Sequence, residues 1–177
     1  MNDEQTLYEG DFLRLCRTDT WEYVKRVNAR GAAVIAAVTP ADELLLVEQP
    51  RPALGGPVIE LPAGLVGDIE GAEDEDRATA AARELEEETG WRPNRMVYLT
   101  GGPPSAGLSG EILWFYRALD LTHVHAGGGD DSEDITVHAV ALDQVDAWLA
   151  EREAAGIPVD PKVYTGLYFI RCRPDRV

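Results

Sequence analysis

Glu84, Glu87 and Glu88 stand at i, i+3 and i+4, so a helix through them carries three carboxylates on one face. Like charges at that spacing destabilise a helix unless a cation sits among them. Hard divalent ions such as Mg²⁺ take carboxylate oxygen and usually bind substrate phosphates as well. The stripe therefore reads as a metal platform. Three glutamates alone could equally be a solvated acidic face, but their neighbours are more specific. Arg83 precedes the first glutamate, Leu85 follows it, Gly90-Trp91 closes the run, and Glu75 lies eight residues before Arg83.

Read from Glu75 to Trp91, the pattern is E-x7-R-E-U-x-E-E-x-G-U, where U is a bulky apolar residue. It resembles the Nudix box, the signature of hydrolases that cleave a nucleoside diphosphate linked to another group. The family pattern opens with a glycine six residues before its first glutamate, and here Ile69 holds that position. Gly64 is the nearest equivalent, which makes Gly67 to Asp74 a lengthened loop. Loops absorb insertions at small entropic cost, whereas a helix fixes the Glu75-to-Arg83 spacing. Upstream, Gln49-Pro50-Arg51-Pro52 leads through Gly55-Gly56 to Glu60-Leu61-Pro62-Ala63-Gly64. That run is similar to the ADP-ribose pyrophosphatase branch of the family.

The resemblance implies a set of roles. Glu84, Glu87, Glu88 and the Ala63 carbonyl would ligate Mg²⁺, with Mn²⁺ as the alternative. Arg51 and Glu60 would lie beside the substrate, and a guanidinium fork suits a diphosphate. Arg83 would orient the glutamates. A loop before the strand Ile135 to Val140 would supply the carboxylate that takes a proton from water, with Glu133 and Asp131 as candidates. Glu87 stays open as either ligand or catalytic group. The implied reaction is hydrolysis of a nucleotide sugar, ADP-ribose being expected, to AMP and ribose 5-phosphate. In the branch a proline sits in a Ser-Pro-Gly context, whereas here the run is Ser105-Ala106-Gly107 with Pro104 two positions early. Another nucleotide sugar, or a non-catalytic nucleotide-sensing module, remains the alternative.

These residues need elements to hold them. A helix is expected from near Glu75 to Gly90, since glycine is a favourable helix stop. Leu7 to Val27 suggests an antiparallel strand pair turning at Thr18-Asp19-Thr20. Strands are also expected at 31–38, 43–47, 58–60, 96–100, 112–119 and 135–140. Two further helices are expected at 142–152 and 160–171, the second with Asp160 as N-cap and Pro161 in its first turn. Gly127-Gly128-Gly129 and the acids after it read as a flexible loop, while His123, His125 and His138 lack zinc-ligand spacing. The expectation is an α/β protein, an α/β/α sandwich with a mixed sheet. Residues 1–30 would form the N-terminal strand pair and a dimer contact, and 31–177 the Nudix domain.

At 177 residues the chain can bury a real core, and 45% hydrophobic with 27% charged residues is an ordinary globular balance. Sixteen bases against thirty-two acids give a formal charge of −16, which repels nucleic acid. The same field repels phosphorylated small molecules, so holding one requires metal ions or local arginines. Cys16 and Cys172 form no disulfide framework. With no apolar run of spanning length and no signal segment, the expectation is a cytoplasmic protein without membrane or nucleic-acid partners. Its expected partners are a small-molecule nucleotide and, by resemblance, a second copy in a homodimer.

Overall fold

The computed structural model describes residues 3–67, 71, 74–129 and 134–173. Its organising strand is β4 (Gly31–Ala37), a run of small and branched residues buried on both faces. Ala33, Ile35 and Ala37 point to one side and Val34 and Ala36 to the other, each in its own core cluster. Period-two alternation separates the two sets. The alanines let helices approach closely from both sides. Sheet order is β7-β4-β10-β9, from β7 (Ala63–Val66), β9 (Arg95–Gly102) and β10 (Leu113–Leu119). β10 runs parallel to β4 and the other pairs are antiparallel, so the sheet is mixed.

Helix α1 (Arg77–Thr89) covers one face, burying Ala80, Ala81 and Leu85 against Ala33, Ile35 and Val66. Full burial of one leucine is worth about 1.5–3 kcal/mol. α2 (Val145–Ala154) and α3 (Pro161–Cys172) contribute Val145, Leu149, Val163 and Leu167 to the core on the other face. A second, antiparallel sheet of β5 (Glu43–Arg51), β6 (Gly56–Glu60) and β12 (Thr136–Ala141) joins them, in the order β12-β5-β6. Layers of this kind, helices on both faces of a mixed sheet, define an α/β fold. No described helix is long and apolar enough to cross a membrane.

The elements depart from the sequence expectation in three places. The N-terminal pair is a three-stranded antiparallel sheet, β1 (Gln5–Glu9), β2 (Leu13–Thr18) and β3 (Trp21–Arg26). An unread turn at Gly10 makes the difference, closed by Gly10 N donating to the Leu13 carbonyl at 2.8 Å. Ala63–Val66 is an edge strand on β4, where the sequence suggests a loop. Two short strands, β8 (Trp91–Arg92) and β11 (Thr122–His123), pair with each other beyond α1. They are too short to leave a periodic signal.

The ends of α1 are well defined. Asp76 caps the start, its carboxylate accepting from Ala78 N and Thr79 N. Gly90 ends it in the left-handed region at φ 76°. The chain after β11 returns to this end, and a Cβ on Gly90 would lie 1.8 Å from the His125 carbonyl oxygen. Left-handed backbone alone costs a non-glycine residue about 1–2 kcal/mol. Gly90→Ala should therefore lower unfolding free energy in urea by at least about 2 kcal/mol, strain and displacement adding together. A loss below about half of that would mean the return segment yields freely.

Candidate active site

Leu85 faces the core, and Glu84 and Glu88 flank it on α1, next to Gly64 and Ala63 of β7. Both line a cavity of about 360 Å³ with Ala63, Gly64, Arg51, Glu60 and, from α3, Lys162. Glu88 is buried at 3% exposure, and its Oε2 accepts from Ala63 N at 3.1 Å. The Glu84 carboxylate lies flat against the Gly64 backbone. An added Cβ there would sit 1.9 Å from Glu84 Cδ and 2.2 Å from Oε2. Glycine at this position is thus a steric requirement of the carboxylate's placement, and the strand β7 is what brings it to α1.

Arg83 binds the acidic cluster together. Its Nη1 donates to Glu87 Oε2 at 3.0 Å and lies 2.9 Å from Glu84 Oε1, while Nη2 is 3.5 Å from Glu75 Oε2. Burial disfavours its charge, but Glu84 and Glu87, then Glu75, more than offset that and hold the guanidinium above its ordinary pKa. It is cationic at every working pH. Glu75 precedes the cap Asp76, and its carbonyl accepts from Arg30 Nη2 at 2.5 Å. The sequence spacing of Glu75 and Arg83 therefore corresponds to a real contact across the first turns of α1.

A second charged chain lines the opposite wall. Arg51 closes β5, and its Nε donates to Glu60 Oε2 at 2.6 Å, with Nη2 also 2.6 Å from that oxygen. Glu60 is 5% exposed, and Lys162 Nζ stands 3.6 Å from its other oxygen. Lys162 also pairs with Asp160, the N-cap of α3. A backbone staple explains the approach of α3: Ile59 N donates to the Pro158 carbonyl and Asp160 N to the Ile59 carbonyl, each at 2.9 Å. Cation, buried anion, cation is thus the order along this wall, facing the carboxylates of α1.

Glu84, Glu88, Ala63, Arg51 and Glu60 are brought into one cavity. Glu87 is not among its lining residues; its side chain is half exposed and turned to Arg83. Its contact with Arg83 accounts for the departure, because i,i+4 pairing draws the carboxylate along the helix surface. Glu133 and Asp131 lie outside the described residues. The glycines before them are not free, as their composition suggests, but fixed. Gly128 N donates to the Glu88 carbonyl at 2.8 Å and Gly129 N to the Glu87 carbonyl at 3.1 Å. Carbonyls at a helix end lack intrahelical partners, and this loop supplies them. Lys162, Arg26 and Glu111 are lining residues that sequence reasoning did not assign. Arg26 Nε donates to Glu111 Oε1 at 2.5 Å, tying β3 to the segment before β10. Glu111 had a local signal, as the acidic residue that follows Ser105-Ala106-Gly107, whereas Arg26 is the last residue of β3 and had none.

Among the described residues, no three side chains of His, Cys, Asp or Glu converge as a metal cluster. The donor set at hand is two carboxylates, Glu84 and Glu88, on either side of the Ala63–Gly64 backbone. That set fits Mg²⁺, which is commonly bound through one or two carboxylates with waters and substrate phosphates completing its shell. It fits zinc poorly, since zinc calls for nitrogen or sulfur ligands in a closed tetrahedron.

The chain belongs to the Nudix family, whose NUDIX domain pattern matches residues 29–161. Its particular relatives are of more than one kind. It is 32% identical to a methanol dehydrogenase activator of Bacillus methanolicus over 71% of this chain and 66% of that one. It is 30% identical to an ADP-ribose pyrophosphatase of Bacillus subtilis over 72% of this chain and 66% of that one. The matches thus span about two thirds of these relatives' length. Among solved structures, an ADP compounds hydrolase superposes with a TM-score of 0.72 at 18% identity, covering 96% of this chain and 90% of that one. At that identity the likeness establishes the shared fold.

The cluster around Arg83 can be tested without any substrate. Arg83→Met keeps the aliphatic stem but leaves Glu75, Glu84 and Glu87 without their common cation. We expect a loss of about 1–3 kcal/mol in unfolding free energy at neutral pH, the cost of stranding partly buried charge. Added salt screens the stranded charges and should narrow that deficit. A deficit unchanged by salt would mean that lost packing, not charge, is responsible.

Proposed function

We propose that this protein hydrolyses the diphosphate bond of a nucleotide sugar, with ADP-ribose as substrate and AMP and ribose 5-phosphate as products. The observation that carries the reading is the facing pair of walls: Glu84 and Glu88 beside Gly64 on one side, Arg51 and Lys162 around Glu60 on the other. In a protein of charge −16, such a gathering of cations at a carboxylate pair is what a diphosphate requires. The name of the B. subtilis relative supports the substrate. Another nucleotide sugar is the runner-up, because the branch's proline stands at Pro104 and not at Ala106.

A divalent cation held by Glu84, Glu88 and the Ala63 carbonyl would neutralise the diphosphate and stabilise charge developing around phosphorus. Arg51 holds phosphate oxygens from the opposite wall, and Glu60 fixes the guanidinium's direction. Arg83 keeps the α1 carboxylates apart and oriented. Water forms the new P–O bond, the bridging oxygen leaves on the other phosphate, and the proton goes to a carboxylate after Gly129. Glu133 is preferred to Asp131 for that role, having the longer side chain and lying nearer β12.

Glu84→Gln or Glu88→Gln should reduce kcat on ADP-ribose by at least about 10²-fold with folding intact, the scale for losing one electrostatic stabiliser. In the same assay Glu133→Gln should cost more kcat than Asp131→Asn, with little change in KM. Near-normal turnover in Glu84→Gln would sink the mechanism, and faster cleavage of a different nucleotide sugar would transfer the substrate. A homodimer belongs to the same reading. Tyr8, Phe12 and Trp21 are largely exposed in the N-terminal sheet and its first turn, apolar surface that a second copy would cover in part. Sedimentation should give a dimer at micromolar concentration, and Phe12→Glu should shift it to monomer. A wild-type chain that sediments as monomer would remove that part.

A further inference from the structure

The site cavity shares lining residues with its neighbours on two sides. At one end, Arg26 and Glu111 also line the smaller hollows beneath the N-terminal sheet. At the other, Leu113 and Lys162 also line a separate cavity of about 510 Å³, between the end of β9 with Pro103-Pro104 and the start of α3. We propose that this second cavity receives the sugar beyond the diphosphate, and that Lys162 at its threshold is a specificity-determining residue. The proposal rests on the function proposed above and assigns a place to one half of its substrate.

The lining has the character a sugar ring needs. Pro103, Pro104 and Pro161 offer rigid apolar surface to the C–H face of a ring. Thr100, Thr165, Asp160 and Lys162 place hydroxyl, carboxylate and ammonium groups around it for the ring hydroxyls. A nucleobase would call for an exposed aromatic face to stack on. Phe115 is the only aromatic lining residue among those described, and it is 7% exposed, committed to the core. Exposed aromatic rings lie on the N-terminal sheet, where Trp21 Nε1 donates to the Gly107 carbonyl at 3.2 Å, and at Tyr98, Tyr164 and Tyr168, none of which lines this cavity. The two ends therefore differ in kind, and the polar, proline-walled end suits the sugar.

Lys162 is placed to read what passes from one cavity to the other. It is held between Glu60, which also fixes Arg51, and Asp160, which caps α3. The staple of Ile59 to Pro158 and Asp160 sets the backbone from which it projects. A group entering the second cavity must run along its ammonium. A cation there favours a sugar that hydroxyl oxygens can present to it, and disfavours an extended cationic substituent.

The test uses two non-hydrolysable probes on the full chain with Mg²⁺: α,β-methylene ADP-ribose, and the β-methyl ester of α,β-methylene ADP, which ends where the sugar begins. Calorimetry on the wild type should show tighter binding of the sugar-bearing probe. Thr165→Trp fills the cavity from α3 and should remove at least about tenfold of that preference, while leaving affinity for the methyl ester within about twofold. Thr165→Leu, a milder change at a half-buried position, should give a partial loss and guards against misfolding of the first variant. Lys162→Met should weaken the sugar-bearing probe more than the methyl ester, and equal weakening of both would overturn its role in specificity. An undiminished preference in Thr165→Trp, or weakened binding of the methyl ester alone, overturns the assignment of the cavity. If the wild type neither cleaves ADP-ribose nor binds either probe, the functional reading itself fails and the sugar's place with it.

Discussion

Carboxylates do not gather unaided, and the site depends on how their repulsion is contained. Glu84 and Glu88 are neighbours on one helical stripe, one mostly and the other almost wholly buried. Burying charge without a partner is costly. Containment comes from three directions: Arg83 along the helix, the Ala63 N–H from the facing strand, and the bare Cα of Gly64, which admits a carboxylate where any side chain would expel it. Each belongs to a different part of the chain. The sheet edge, the helix and the loop before it must all be in register for the two carboxylates to point into the same space.

That dependence explains which parts were legible beforehand. α1 with its cap, its glycine stop and its acidic stripe is local, so spacing reveals it. The resemblance to the Nudix pattern carried the identification of Arg51, Glu60 and Ala63, which no periodicity would single out. The strand at β4 and the capped start of α3 at Asp160-Pro161 were also readable from residue type. What escaped is non-local. Lys162 reaches Glu60 only because a strand and a loop nearly a hundred residues apart share two backbone hydrogen bonds, and nothing near Lys162 announces it. β7 was hidden because its residues read equally well as a glycine-containing loop. The turn at Gly10 did carry a local signal, glycine followed by aspartate between apolar residues.

The N-terminal sheet is joined to the rest more closely than a separate segment would be. Val24 exchanges backbone hydrogen bonds with Leu108 and Gly110, and the Arg26–Glu111 pair lies at the cavity rim. A covering of the sheet's apolar face would thus be felt at the rim through a short mechanical path. Charge complementarity at that rim, more than area, would set how strongly the two are linked.

The glycine run after His125 has a consequence of its own. Because Gly128 and Gly129 satisfy the carbonyls of Glu88 and Glu87, fraying of the last turn of α1 and release of that loop are one event. A swing beginning before Gly129 would expose two carbonyls whose own side chains belong to the acidic cluster. Gly128 and Gly129 are thus anchored to the helix that carries Glu84 and Glu88. Slow amide exchange at Gly128 and Gly129 would then report the integrity of the helix end as faithfully as any amide within α1.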